Sequence, residues 1–260
     1  MIPVTVSIAL YLVASGLLVA GIRRGHRGRA WLPVAAAAVL VHAFVHALAW
    51  RGLGGADMHF FAAISLVVLG MAALTAIVGA RGRMGSLGVV VFPLAALALL
   101  AYHLHGHLPP VPLDWRLQLH AWLALLAYAT LAVAALLAVM LWLQERALSR
   151  REIHDWLRAL PPLVELETLL FRTIATGFVL LSATLLTGAL FVEDLLAQHL
   201  LHKTVLSVLS WLVFGVLLLG RRHRGWRGRA AVHWTLAAML LLVLAFFGSK
   251  FVLELVLHRV

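Results

Sequence analysis

The residues with chemistry to offer gather at 191–211, FVEDLLAQHLLHKTVLSVLSW, where Glu193, Asp194, His199, His202 and Lys203 fall between one apolar run and the next. Ionisable groups at the edge of hydrocarbon are expensive and mark functional positions by default. A neutral imidazole binds metals, and a cation beside it holds an anionic group. Two more histidines share that level. His120 lies about one turn into the fifth apolar run, His202 opens the seventh and His258 closes the eighth. At about 1.5 Å per residue, His120 and His202 both fall within roughly 10 Å of the same membrane boundary. Imidazoles at one depth on separate helices can clamp a metal between them. Haem iron takes axial histidines, and the flat apolar ring fits between helices. The pattern therefore points to haem iron held by His120 and His202, with His258 and His199 as alternatives. A lone histidine in a span is more often a packing group than a ligand, so the shared depth carries the weight.

Lys203 and Lys250 are the only lysines. Either suits a haem propionate, although Lys250 also has Glu254 one helical turn on. Three histidines invite zinc, but no HExxH is present and no carboxylate lies at ligand spacing from His120. Glu193, Asp194 and His199 remain an alternative zinc or copper set. No catalytic constellation is found, so the chain is not expected to be an enzyme.

These residues need a scaffold, and composition names it. The chain has 260 residues, of which 63% are hydrophobic and 12% charged, where a soluble domain carries about 25% charge. The apolar residues fall in runs of roughly twenty, enough to cross a bilayer as helix. The expected class is all-α: a polytopic transmembrane helical bundle of about eight spans in one membrane domain covering 1–260. The expected spans are 2–22, 31–50, 59–80, 86–105, 117–143, 168–192, 202–220 and 231–257. Residues 144–160 read as an extension of the fifth helix or an interfacial segment, ended by Pro161 and Pro162. Trp31, Trp50 and Trp115 sit as interfacial anchors. Small-xxx-small spacings such as Thr184 to Gly188 suit close helix packing. Absence of cysteine excludes disulfides and thiolate sites.

The formal charge of +11 does not point to nucleic acid, because the arginines sit in short loops between spans. The first loop holds Arg23, Arg24, Arg27 and Arg29. The fifth holds Arg146, Arg150, Arg151 and Arg158, and the seventh holds Arg221, Arg222, Arg224, Arg227 and Arg229. Even loops are nearly bare. By the positive-inside rule the odd loops face the cytoplasm and both termini face outside. Nine of the fourteen histidines then fall near the outer face: His46, His59, His103, His105, His107, His120, His199, His202 and His258. His42 alone lies deep in a span. On the inner side, Glu165, Glu167 and Arg172 read as an anchor at the start of the sixth span, with Glu167 favoured by the helix dipole.

A small-solute transporter or channel is the competing reading, but the spans lack paired buried carboxylates and obvious broken helices. An electron-transfer subunit with two stacked histidine pairs would need more deep histidines.

Three stretches carry a resemblance. LPPLVELETLLFRTIATGFVLLSATLLTGALF at 160–191 is similar to the segment before the haem-binding loop of the cytochrome c assembly proteins, the CcsA, CcmC and HemX-like membrane family. HKTVLSVLSWLVFG at 202–215 resembles the helix after that loop, and RRHRGWRGRAAVHW at 221–234 the basic loop beyond. With QLHAWLALLAYATL around His120, the layout resembles the YpjD inner-membrane branch, and the family-like core spans about 117–258. The resemblance implies a multi-pass protein of the bacterial inner membrane that binds or handles haem, b-type being expected, with other cytochrome c maturation proteins as partners. It implies an outer-face haem ligand at His120 and a second near His258. The family's tryptophan-rich loop with its WxWD core is replaced here by VEDLLAQHLLHK.

Overall fold

A computed structural model describes residues 1–25, 28–55, 57–80, 83–106, 114–151, 161–191 and 198–251. Eight helices among them are long and apolar enough to cross a membrane. They are α1 (Ile2–Arg23), α2 (Trp31–Leu53), α3 (Phe60–Ala80), α4 (Gly88–Leu104), α5 (Trp115–Ser149), α6 (Leu163–Phe191), α7 (Gln198–Arg224) and α8 (Arg229–Val243). A short 3₁₀ stretch, Arg83–Leu87, leads into α4, and a π-helical stretch, Leu244–Gly248, continues α8. The eight expected spans correspond to these helices, the eighth as far as the described residues reach. Asp114 caps α5 by accepting a hydrogen bond from the Trp115 amide. The fifth helix runs on to Ser149, and α6 starts directly after Pro161 and Pro162. Proline at the first turn gives up no intrahelical bond, so the pair sets where α6 begins.

Hydropathy shows no internal boundary, but packing divides the chain into two compact units. The first comprises 1–112 with 151–162, the second 113–150 with 163–260. In the first unit α1 packs on α2, α2 on α3, α3 on α4 and α4 back on α1. In the second unit α5, α6, α7 and α8 close a ring in the same order. Each unit is thus a four-helix bundle, and large side chains such as Leu97, Val179 and Leu240 stay exposed on the outside. In water such faces would associate; against lipid they need no cover.

Within the second unit α5 and α6 approach closely. A Cβ on Gly177 would lie 2.5 Å from Leu131 Cδ2, so only glycine admits that leucine at this crossing. Polar links then fix α7. Trp211 Nε1 donates to Ser182 Oγ at 2.8 Å, and its ring stacks on Phe178 with centroids 5.4 Å apart. Ser210 Oγ donates to the Ala238 carbonyl of α8 at 2.8 Å. Trp211→Phe keeps the stack and deletes the indole donor. The expected cost is about 0.6–1 kcal/mol, seen as a lower unfolding midpoint in detergent; an unchanged midpoint would show that the bond adds nothing to packing.

At the other end of this unit, Arg221 Nη1 donates to Glu167 Oε1 at 2.8 Å. Besides the favourable dipole of its own helix, Glu167 thus has a guanidinium partner from α7, placed over the Phe171 ring at 4.7 Å. The carboxylate is buried, and a buried carboxylate needs a paired cation more than a dipole.

Candidate functional site

His120 and His202 fall at the end of the second unit that the loop charges assign to the outer face. His120 lies five residues into α5, about 8 Å along the axis. Its imidazole is half-buried and turns toward α6. His120 Nδ1 lies 3.1 Å from the Thr184 carbonyl oxygen and 3.2 Å from Thr187 Oγ1. A carbonyl only accepts, so Nδ1 carries the proton. Thr187 is consistent with that assignment, since its own hydroxyl donates to the Ala183 carbonyl at 2.9 Å and leaves a lone pair for the imidazole. The tautomer follows: Nε2 is the bare nitrogen, and it makes no hydrogen bond among the described residues.

The ring fits against α6 because Gly188 has no side chain. A Cβ there would sit 3.1 Å from His120 Cε1 and 3.5 Å from Nδ1. Thr184 and Gly188, the small-xxx-small pair, therefore seat an imidazole as well as bringing helices together. Thr184, Thr187 and Gly188 are the residues that reading the sequence did not assign to the site. Their spacing was visible, but nothing in it named the histidine they receive.

Arg116 is a further addition. It stands four residues before His120 and so shares its face of α5. Its guanidinium lies 5.6 Å from the Trp115 ring centroid and 5.9 Å from that of Phe191 at the end of α6. Asp114 is 3.9 Å away, and both members of that pair are more than half exposed, so the charge remains available to another anion.

The other expected residues are less tightly placed. The helix α7 starts at Gln198, one turn earlier than the apolar run suggested, so His202 lies in the second turn and not the first. It is exposed, and no hydrogen bond or ring contact joins it to His120. The two stand on α5 and α7, which are separated around the ring by α6 on one side and α8 on the other. Lys203 is half-buried beside it. Lys250 is half-buried past the π-helical stretch, its Nζ 5.5 Å from the Phe246 ring centroid. That stretch is held from α5: Tyr128 donates to the Leu242 carbonyl, and its ring meets Phe246 and Phe247 at 5.9 and 5.5 Å. His258, Glu254, Glu193, Asp194 and the side chain of His199 lie outside the described residues. Among the described residues no group of three or more His, Asp or Glu side chains is placed to hold a bare metal ion. Haem needs fewer: its ring supplies four donors, and one or two axial side chains complete the iron.

Comparison with known proteins covers the same stretch of chain. The family described as Cytochrome C assembly protein matches residues 30–257. The inner membrane protein YpjD of Escherichia coli strain K12 is 32% identical over 265 residues, covering 98% of this chain and 99% of its own. An uncharacterised 28.8 kDa protein of Azospirillum brasilense is 38% identical over 143 residues, 54% of this chain and 53% of its own. The cytochrome c biogenesis protein CcsA of Prochlorococcus marinus strain MIT 9515 is 32% identical over 89 residues, 34% of this chain and 28% of its own. With its match running from the second helix almost to the C-terminus, and with a full-length relative at this identity, the chain belongs to the cytochrome c assembly protein family.

Proposed function

We propose that this protein binds haem at the outer end of its second helical unit and holds or senses it there, as a multi-pass protein of the bacterial inner membrane. The observation that carries the reading is the His120 tautomer. Histidine ligands of metals characteristically donate their other ring N–H to a carbonyl or carboxylate, which fixes the ring and raises its basicity. The Thr184 carbonyl does this for His120, leaving Nε2 for iron. Arg116 and Lys250 are cations suited to the two propionates, and Lys203 is an alternative. His202 and His258 are the candidates for a second axial position. Haem, when bound, supplies a redox-active iron whose potential the axial ligands tune.

In this proposal the chain's own residues bind and orient haem, and the role is non-enzymatic. The missing tryptophan-rich loop favours storage or sensing over direct presentation to an apocytochrome, with other maturation proteins as partners. An absorption spectrum of the detergent-purified protein, made with ample haem supply, tests the reading. A Soret band that responds to reduction is expected. A reliably colourless protein would overturn it in favour of a transporter or scaffold.

A further inference from the structure

The first unit contains a second polar constellation. Tyr11 of α1 is fully buried, and its hydroxyl lies 3.2 Å from His42 Nδ1. His42 Nε2 lies 2.9 Å from Ser65 Oγ of α3, and the same oxygen lies 3.0 Å from His46 Nε2. Tyr11, His42 and Ser65 all have no exposed surface. The His46 ring stacks on Tyr102 of α4 at 4.5 Å, and Tyr102 stacks on His59 at 5.7 Å. His59 Nδ1 is paired with Asp57 Oδ1 at 2.6 Å, while His59 Nε2 is buried with no hydrogen-bond partner among the described residues. Tyrosine, histidines, serine and aspartate from all four helices and the α2–α3 turn thus form one file. It runs from near the middle of α1 to the end that the loop charges assign to the outer face.

We propose that this file is a proton relay, exchanging protons between the outer face and the deep imidazole of His42. The hydrogen-bonded part of the file, from His46 through Ser65 and His42 to Tyr11, has the property a relay needs: each of its bonds can run either way. In one orientation His46 Nε2–H donates to Ser65, Ser65 O–H to His42 Nε2, and His42 Nδ1–H to the Tyr11 oxygen. A proton arriving at His46 Nδ1 forms an N–H bond there and releases the Nε2 proton to Ser65. Ser65 passes its own proton to His42 Nε2, leaving His42 as imidazolium. One proton enters, one is stored, and each bond broken along the way is matched by one formed. The reverse sequence returns it.

The charged state is costly in an apolar bundle, so it serves brief transfer and not storage. Both His42 nitrogens are engaged, and a metal would gain a lone pair only by breaking one of these contacts. A network that merely satisfied buried polar groups would need no hydroxyl shared symmetrically between two imidazoles. The half-buried His46 is the point of entry, with Tyr102 stacked on it and the Asp57–His59 pair beyond. His105, stacked on Phe61 at 3.6 Å, lies at the same end.

Exchange of the His42 Nε2–H, the proton that bonds Ser65 when the links run the other way, with solvent tests this. The full-length protein, ring-labelled with ¹⁵N-histidine in nanodiscs, is transferred to D₂O, and the His42 signal is assigned by its loss in His42→Gln. Exchange within minutes is expected in the wild type. It should slow at least about tenfold in Ser65→Ala and recover in Ser65→Thr. His46→Gln, which removes the entry imidazole, should also slow it and serves if Ser65→Ala does not fold. A His42 N–H that fails to exchange over hours in the wild type overturns the relay. Equal rates in wild type, Ser65→Ala and His46→Gln would overturn it too and leave the file a packing network.

Discussion

His120→Ala is expected to strip the protein of its haem. The loss should exceed the roughly 10–100-fold in affinity that removal of an outer-shell partner costs, because the ligand itself goes. The reason lies in the distribution of ring nitrogens. Nδ1–H is committed to Thr184 and Thr187 on α6, so the whole ligating capacity of the residue is in Nε2. Titration of haem into purified protein, followed by Soret absorbance, measures the change. Added imidazole should restore part of the band in His120→Ala, since alanine leaves a space of the right size beside Gly188. His202→Ala acts as the discriminating partner. If His202 supplies the second axial nitrogen, its loss shifts the spectrum toward a singly ligated form while haem stays bound through His120. An undiminished Soret band in His120→Ala would remove the ligand assignment at its root.

The scaffold was legible in the amino-acid pattern, and the pairing across it was not. Runs of roughly twenty apolar residues can only be spanning helices, and the alternating arginines order them, so the eight spans could be read with small errors at their ends. The depth of His120 followed from the same counting. What counting along one helix cannot provide is the identity of the neighbour. Thr184 is 64 residues from His120 in the chain, and Arg221 is 54 from Glu167; both pairings depend on which helix packs beside which. His46 and His59 show the limit from the other side. Their positions near span ends read as outer-face residues, yet Ser65, Tyr102 and Asp57 draw them into a buried network. Neither α2 nor α3 bears a sign of it alone, since one serine in an apolar helix commonly bonds its own backbone.

Placing a side chain at Gly188 is expected to weaken haem without touching a ligand. Alanine would bring a Cβ to 3.1 Å from His120 Cε1, tight enough to move the ring by a few tenths of an ångström. Valine adds two methyls at the same place and should lift the imidazole off the Thr184 carbonyl. Loss of that bond costs roughly 10–100-fold in affinity on the scale of outer-shell partners, with Gly188→Ala toward the small end and Gly188→Val toward the large. The stability trend should run the opposite way for alanine, because Gly→Ala in a helix gains up to about 1 kcal/mol in propensity. A Gly188→Ala protein that unfolds no earlier than wild type yet binds haem more weakly separates a seating role from general damage to the α5–α6 seam. Gly177→Ala is the matched comparison. Its Cβ would meet Leu131 and not the histidine, so it should lower the unfolding midpoint and leave the haem spectrum of the folded fraction unchanged. Haem affinity equal to wild type in both Gly188 variants would mean that the imidazole does not bind iron from its place against α6.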